Sequence, residues 1–128
     1  MISKKVIETP NAPAAIGPYS QAIQVSGWTF LSGQIPLDPA TGKIVSEDIA
    51  EQTKRVLENI QAVLAKAGGT MNNIVKTNIY IIDMNDFAKV NEVYKQYFQK
   101  EPPARATVQV SRLPKDVKVE IDAIAFIE

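Results

Sequence analysis

The chain has 128 residues with 14 basic and 14 acidic side chains, and this neutral balance argues against nucleic-acid binding through a broad basic face, leaving only a small basic pocket open. It contains no Cys and no His, so disulfides, thiolate catalysis, Cys/His zinc sites, a Ser-His-Asp triad and a paired-histidine nuclease are excluded. With 45% hydrophobic and 22% charged residues, and no apolar run near the ~18 residues of a bilayer span, the composition fits one globular domain over residues 1–128 and no membrane.

In chain order, Lys4–Thr9 alternates around Val6 and Ile7 and predicts a short edge strand. The first eight residues lack the apolar core of a secretory signal, which predicts the cytoplasm, or an organelle where a presequence has been removed. Asn11–Tyr19, with two prolines and a glycine, predicts a loop of fixed shape. Gln21–Val25 and Thr29–Ser32 flank Ser26-Gly27 and read as a hairpin. Gly33–Pro36 leaves the sheet, and Asp38–Gly42 is a turn.

Ser46–Ala67 is the clearest helix, with Ile49, Thr53, Val56, Ile60, Val63, Leu64 and Ala67 on one face. Glu47, Asp48 and Glu51 suit the positive end of its dipole, and Gly68-Gly69 stops it. Ile74–Ile82 is β-branched and apolar on both sides, as in a strand covered on both faces. Asp83–Asp86 offers a cap for a second helix with Phe87, Val90, Val93, Tyr94 and Tyr97 inward. Beyond Pro102-Pro103 come strands Arg105–Val110 and Lys118–Ile127, joined by the turn-rich Ser111–Asp116.

The order β-β-β-α-β-α-β-β predicts an α+β fold, a mixed sheet with two helices on one face. No second helical layer remains for the other face, so another subunit is its expected cover. Chemistry must come from carboxylates, Lys, Arg, Tyr, hydroxyls, amides and backbone. No acidic loop of the EF-hand kind is present, and no metal site is expected.

Arg105 stands out. Alternation groups it with Thr107, Gln109 and Ser111 on a polar face and sends Ala106, Val108 and Val110 toward the core. Its planar fork suits a substrate carboxylate or a structural ion pair, and residue type leaves both open. Glu120 shares a strand face with Asp122; it could hold a water for attack, or be an ordinary strand carboxylate. Tyr19 after Gly17-Pro18 could wall a pocket or be a rim aromatic. Gly33 permits close backbone approach, or serves only the bend. Asn91 is a poor residue for a helix interior, with pocket and surface readings both open. Arg112 and Lys118 read as solvated or interfacial cations, and Asp122 as structural.

Four motifs occur together: Asn11–Gln21, Ser32–Pro36, Pro103-Ala104-Arg105 and Arg112–Ala123. With them the chain resembles, over essentially its whole length, the Rid family of reactive intermediate deaminases, whose members are also called translation-inhibitor or L-PSP endoribonuclease proteins. The resemblance implies a chorismate-mutase-like fold and a homotrimer with a central barrel and clefts between subunits. It implies hydrolysis of small 2-imino acids and their enamine tautomers, such as 2-iminobutanoate and 2-aminoacrylate, to 2-oxo acids and ammonia without a cofactor. It casts Arg105 as the carboxylate clamp and Glu120 as the water-positioning residue, and lines the cleft with Tyr19, Ser32, Gly33, Asn91 and Thr107. Many relatives carry Cys where Thr107 stands, so chemistry needing that thiol is not expected. A regulator that binds small carboxylates, and an endoribonuclease or translation inhibitor, are the alternative readings. The absence of His and of net positive charge gives the nuclease little support.

Overall fold

The computed structural model describes residues 3–128; the amino-terminal signal reading includes Met1 and Ile2, which lie outside the described residues. Six strands and two helices follow in the order β1 (Lys5–Ile7), β2 (Ala22–Val25), β3 (Trp28–Gln34), α1 (Ile49–Lys66), β4 (Ile74–Ile81), α2 (Phe87–Tyr94), β5 (Ala104–Gln109) and β6 (Val119–Phe126). The strands form one sheet in the spatial order β1-β2-β3-β6-β4-β5. Neighbours are antiparallel except β4 and β5, which run parallel across the α2 crossover. This is the expected mixed sheet, with β1 at an edge.

Local chemistry accounts for the boundaries. Ser26 and Gly27 both have positive φ (49° and 88°), the conformation a two-residue hairpin needs to match strand twist. Asp48 caps α1 by accepting a bond from the Glu51 N–H at 3.0 Å. Past its end, Gly68 turns left-handed (φ 89°). The Gly69 N–H then donates back to the Leu64 carbonyl and the Gly68 N–H to that of Ala65, which satisfies carbonyls the helix leaves free. Asp83 caps a short 3-10 turn that leads into α2.

Both helices pack on one face of the sheet. Val56, Leu57, Ile60 and Leu64 of α1, and Val90 and Tyr94 of α2, share one core with Ile79 and Ile81 of β4 and Ile121 and Ala123 of β6. Burial on β6 alternates strictly, with Val119, Ile121, Ala123 and Ala125 inward. The helical stripe also buries Leu57, Gln52 and Asn59, which spacing alone did not single out.

Two expectations need correction. Val108 is 46% exposed, and neither it nor Ala106 is in the core. The parallel register pairs Arg105 with Thr77, Thr107 with Ile79 and Gln109 with Ile81. Thr77, Ile79 and Ile81 are buried toward the helices, so the polar series of β5 shares their face and Ala106 and Val108 take the open one. Alternation states which residues lie together, not which side faces inward. The second correction concerns β4: opposite Ile79 and Ile81 lie Asn78 and Tyr80, half-buried and hydrogen-bonded to Asp122, so its outer side is polar. The apolar part of the open face lies farther along the sheet, where Val6, Trp28 and Phe30 are exposed and Trp28 meets the Phe126 ring edge-on at 4.9 Å.

Candidate active site

Arg105 occupies β5, an edge strand, and is exposed rather than partly buried. Three groups of α2 fix its guanidinium. Nη1 donates to Asn91 Oδ1 at 2.7 Å. The guanidinium carbon lies 5.0 Å from the centre of the Tyr94 ring and 5.5 Å from that of Phe87, within cation–π range. Tyr94 is itself anchored by a 2.7 Å hydrogen bond between its hydroxyl and Thr77 Oγ1. Burial pushes its phenol above the usual value, opposed by the Thr77 bond and the Arg105 charge. No ion pair among the described residues involves Arg105, which removes the structural pair within the chain. Beside it opens a mostly apolar cavity of about 380 Å³ lined by Asn91, Tyr94, Phe98, Pro102, Pro103 and Arg105. Thr107 lies two residues along the same face, and its buried hydroxyl oxygen has no hydrogen-bond partner among the described residues.

Glu120 belongs to a different constellation. On β6 it stands opposite Tyr80 of β4, on the open face of the sheet. Its carboxylate lies against Gly33, where a Cβ would run into Glu120 Oε2. Here the glycine leaves room for the close approach of the Glu120 side chain, beyond any service to the bend. Burial first, and the neighbouring Asp122 charge second, hold the Glu120 carboxyl above the ordinary value.

The loop bearing Tyr19 is tied to the same region. The Ser32 hydroxyl donates to the Ser20 carbonyl at 2.6 Å and the Ser32 N–H to that of Gln21 at 2.9 Å. Tyr19, Gly33, Ile35, Pro114 and Lys115 border a cavity of about 300 Å³. The register shift of β3 between Leu31 and Gln34 takes Ser32 and Gly33 out of the regular ladder, so that Gly33 borders this cavity while the Ser32 hydroxyl ties down the Tyr19 loop.

The seven residues singled out from sequence therefore fall into two groups. Arg105, Asn91 and Thr107 lie together on the helix side of the sheet, and Glu120, Gly33, Ser32 and Tyr19 gather around β3 and β6 on the other. Sequence reasoning missed several supports. Gln21 is buried and staples the Pro-rich loop: its Oε1 accepts from the Thr9 N–H at 2.7 Å, and its Nε2 reaches the carbonyls of Thr9, Ala12 and Pro13. A lone amide closing a Pro/Gly loop was the available signal. Phe87 and Tyr94 were read as inward packing only, and their role as a platform for Arg105 depends on a contact between α2 and β5. Lys115 and Asp116 adopt positive φ (56° and 57°), beside an Arg112–Asp116 pair whose two bonds measure 2.6 and 3.1 Å. Nothing in Pro-Lys-Asp signals that backbone. Lys118 Nζ donates to the Glu47 carbonyl at 2.6 Å, so neither cation is simply solvated.

Among the described residues no helix is long and apolar enough to cross a membrane, and no cluster of acidic side chains has the makings of a metal site. A family model described as endoribonuclease L-PSP matches residues 9–127. A RutC family protein of Pyrococcus abyssi is 58% identical over 127 residues, covering 99% of this chain and 100% of that protein. The 2-iminobutanoate/2-iminopropanoate deaminase of Homo sapiens is 49% identical over 123 residues, covering 96% and 90%. Among solved structures, E. coli TdcF with bound serine superposes with a TM-score of 0.93 at 50% identity, covering 97% of this chain and 99% of that one.

Proposed function

The chain belongs to the Rid family, the family described as endoribonuclease L-PSP, and from that premise we propose that it is a 2-iminobutanoate/2-iminopropanoate deaminase. It hydrolyses small 2-imino acids and their enamine tautomers to 2-oxo acids and ammonia, as one domain over residues 1–128 that needs no cofactor and works in the cytoplasm. The observation that carries the reading is Arg105: a guanidinium held by an amide and two rings, with no carboxylate partner among the described residues, beside an open cavity. A two-point bond to the substrate carboxylate supplies what the chain withholds.

The reaction follows from the groups present. Arg105 binds the carboxylate of the iminium form. A water held by Glu120 adds to the imine carbon and gives a proton to the carboxylate, forming a carbinolamine. Glu120 passes that proton to the nitrogen and takes the hydroxyl proton in its place as the C–N bond breaks and the carbonyl forms; ammonia leaves and carries that last proton away as ammonium. The half-buried Glu120, its pKa raised first by burial and then by the Asp122 charge, is a better base than an exposed carboxylate. An iminium is already electrophilic, so positioning and proton transfer supply most of the catalysis.

Because Arg105 and Glu120 lie on opposite faces of one sheet, a single chain does not bring both to one small molecule. A homotrimer with clefts between subunits does, and its assembly covers the apolar open face. The bound serine of TdcF, a small amino acid of related size, is in keeping with such a cleft. The test is to generate 2-iminobutanoate with a dehydratase and follow its semicarbazide-trappable pool with and without the protein. Faster disappearance is expected. Binding of small carboxylates without acceleration makes the protein a regulator instead, and RNA cleavage that survives repurification and is lost with Arg105→Ala makes it a nuclease.

A further inference from the structure

Behind Glu120 lies a polar cluster that the reaction above does not use. Asp122, two residues farther along β6 on the same face, is held through both oxygens. Asn78 Nδ2 donates to Oδ1 at 2.9 Å and the Tyr80 hydroxyl to Oδ2 at 3.1 Å. The register places Asn78 opposite Asp122 and Tyr80 opposite Glu120. The Tyr80 side chain thus starts across from Glu120 and reaches diagonally to Asp122. Successive same-face residues of a strand stand roughly 7 Å apart, close enough for two carboxylates to feel each other where water is partly excluded. A solvated strand carboxylate has no need of two anchoring donors. Two side chains of the neighbouring strand β4 are engaged in holding this one still.

We propose that Asp122, clamped by Asn78 and Tyr80, is a positioning residue that sets the electrostatic environment in which Glu120 acts as base. The inference rests on Glu120 being the water-holding group. The other neighbours leave Asp122 as the charge that counts. From β3, Gly33 meets Glu120 and carries no charge. From β4, Tyr80 faces it with a phenol held above its usual value by burial, then by Asp122, so it stays neutral. Lys118 turns its ammonium to the Glu47 carbonyl, and Lys115 borders the adjoining cavity. The direction of the Glu120 displacement, with Asp122 acting in the same sense as burial, agrees with the geometry. A carboxylate made a stronger base takes a proton from water more readily.

The experiment compares wild type, Asp122→Asn, Asp122→Glu and Glu120→Gln in the imine assay from acid to neutral pH. Asparagine keeps the shape and can still accept from Asn78, so folding is retained and checked by thermal melting. In Asp122→Asn the acid limb of kcat/KM moves to lower pH, and the neutral rate falls on the order of 3-fold, against roughly 10²–10⁴-fold for loss of a general base itself. KM changes little, and Asp122→Glu restores the limb. An unmoved limb in Asp122→Asn, with Glu120→Gln inactive, overturns the proposal and leaves the deaminase reading intact. Full activity of Glu120→Gln instead overturns the base assignment. Carbon-13 titration of the Glu120 carboxyl then decides on Asp122 without any turnover: a transition at lower pH in Asp122→Asn supports the coupling, and an unchanged one refutes it.

Discussion

Replacing Arg105 by alanine separates recognition from folding. The guanidinium is exposed and forms no ion pair among the described residues. Its contribution to stability is limited to the Asn91 hydrogen bond and two cation–π contacts, each about 0.5–1 kcal/mol at an exposed site. The thermal midpoint of the variant should fall by about 3–18 °C, since the three contacts sum to about 1.5–3 kcal/mol and 1 kcal/mol moves a domain of this size by about 2–6 °C. Toward a substrate carboxylate the balance is different. Two charge-assisted bonds of about 1.5–3 kcal/mol each are lost together. Because Asn91, Phe87 and Tyr94 already orient the fork, little ordering entropy offsets that loss. The expected reduction in kcat/KM is about 10²–10⁴-fold, at 1.4 kcal/mol per decade, with much of it in KM. Arg105→Lys should fall between, because lysine keeps the charge without the planar fork. The assay is semicarbazide trapping of enzymically generated 2-iminobutanoate over a range of substrate fluxes, with the oligomeric state measured alongside. A folded Arg105→Ala protein working within about 3-fold of wild type would refute the clamp.

Further outcomes follow from other contacts. Gly33→Ala should place a Cβ where Glu120 Oε2 now lies and push the carboxylate aside, lowering kcat by at least about 10-fold with KM little changed; steady-state kinetics beside a melting curve check both. Glu120→Gln should raise the melting temperature at neutral pH. The folded-state pKa of Glu120 is raised, so its favourable contribution is complete below the unfolded value and is lost as pH rises through the folded one. The gain should therefore shrink on acidification, and a gain that grows in acid contradicts the sign. Leu57 is fully buried in α1, so Leu57→Ala should destabilise by about 2–5 kcal/mol, read as a lower urea midpoint at unchanged slope.

Much of the fold was readable because it rests on short-range pattern. The α1 stripe, the Ser26-Gly27 hairpin, the Gly68-Gly69 stop and the alternation of β6 each follow from residues a few positions apart, and all are present. The site was readable in part. Arg105, Glu120, Asn91 and Gly33 were singled out by residue type and by family resemblance, and the structure gives each a defined setting. Their partners were not readable. Tyr94 as a platform for Arg105 depends on α2 and β5, which meet only once the sheet has assembled, whereas the Gln21 staple across three carbonyls lies within twelve residues and went unread although its signal was local.

The chain by itself determined which chemistry is available. With no His or Cys, it must work through guanidinium, carboxylate, hydroxyl and backbone, and its periodicity determined where helices and strands run. The tertiary structure decided which side of each strand faces inward. On β5 the alternation of Arg105, Thr107 and Gln109 with Ala106 and Val108 suits either orientation. Only the parallel register with Thr77, Ile79 and Ile81 turns Arg105 to α2 and Val108 to the open face. Together with the antiparallel register of β4 and β6, which sets Glu120 opposite Tyr80, it puts Arg105 and Glu120 on opposite faces. Side-chain period is a local property of the backbone, whereas the choice of face is made by whichever pairing buries the most apolar surface across the whole sheet.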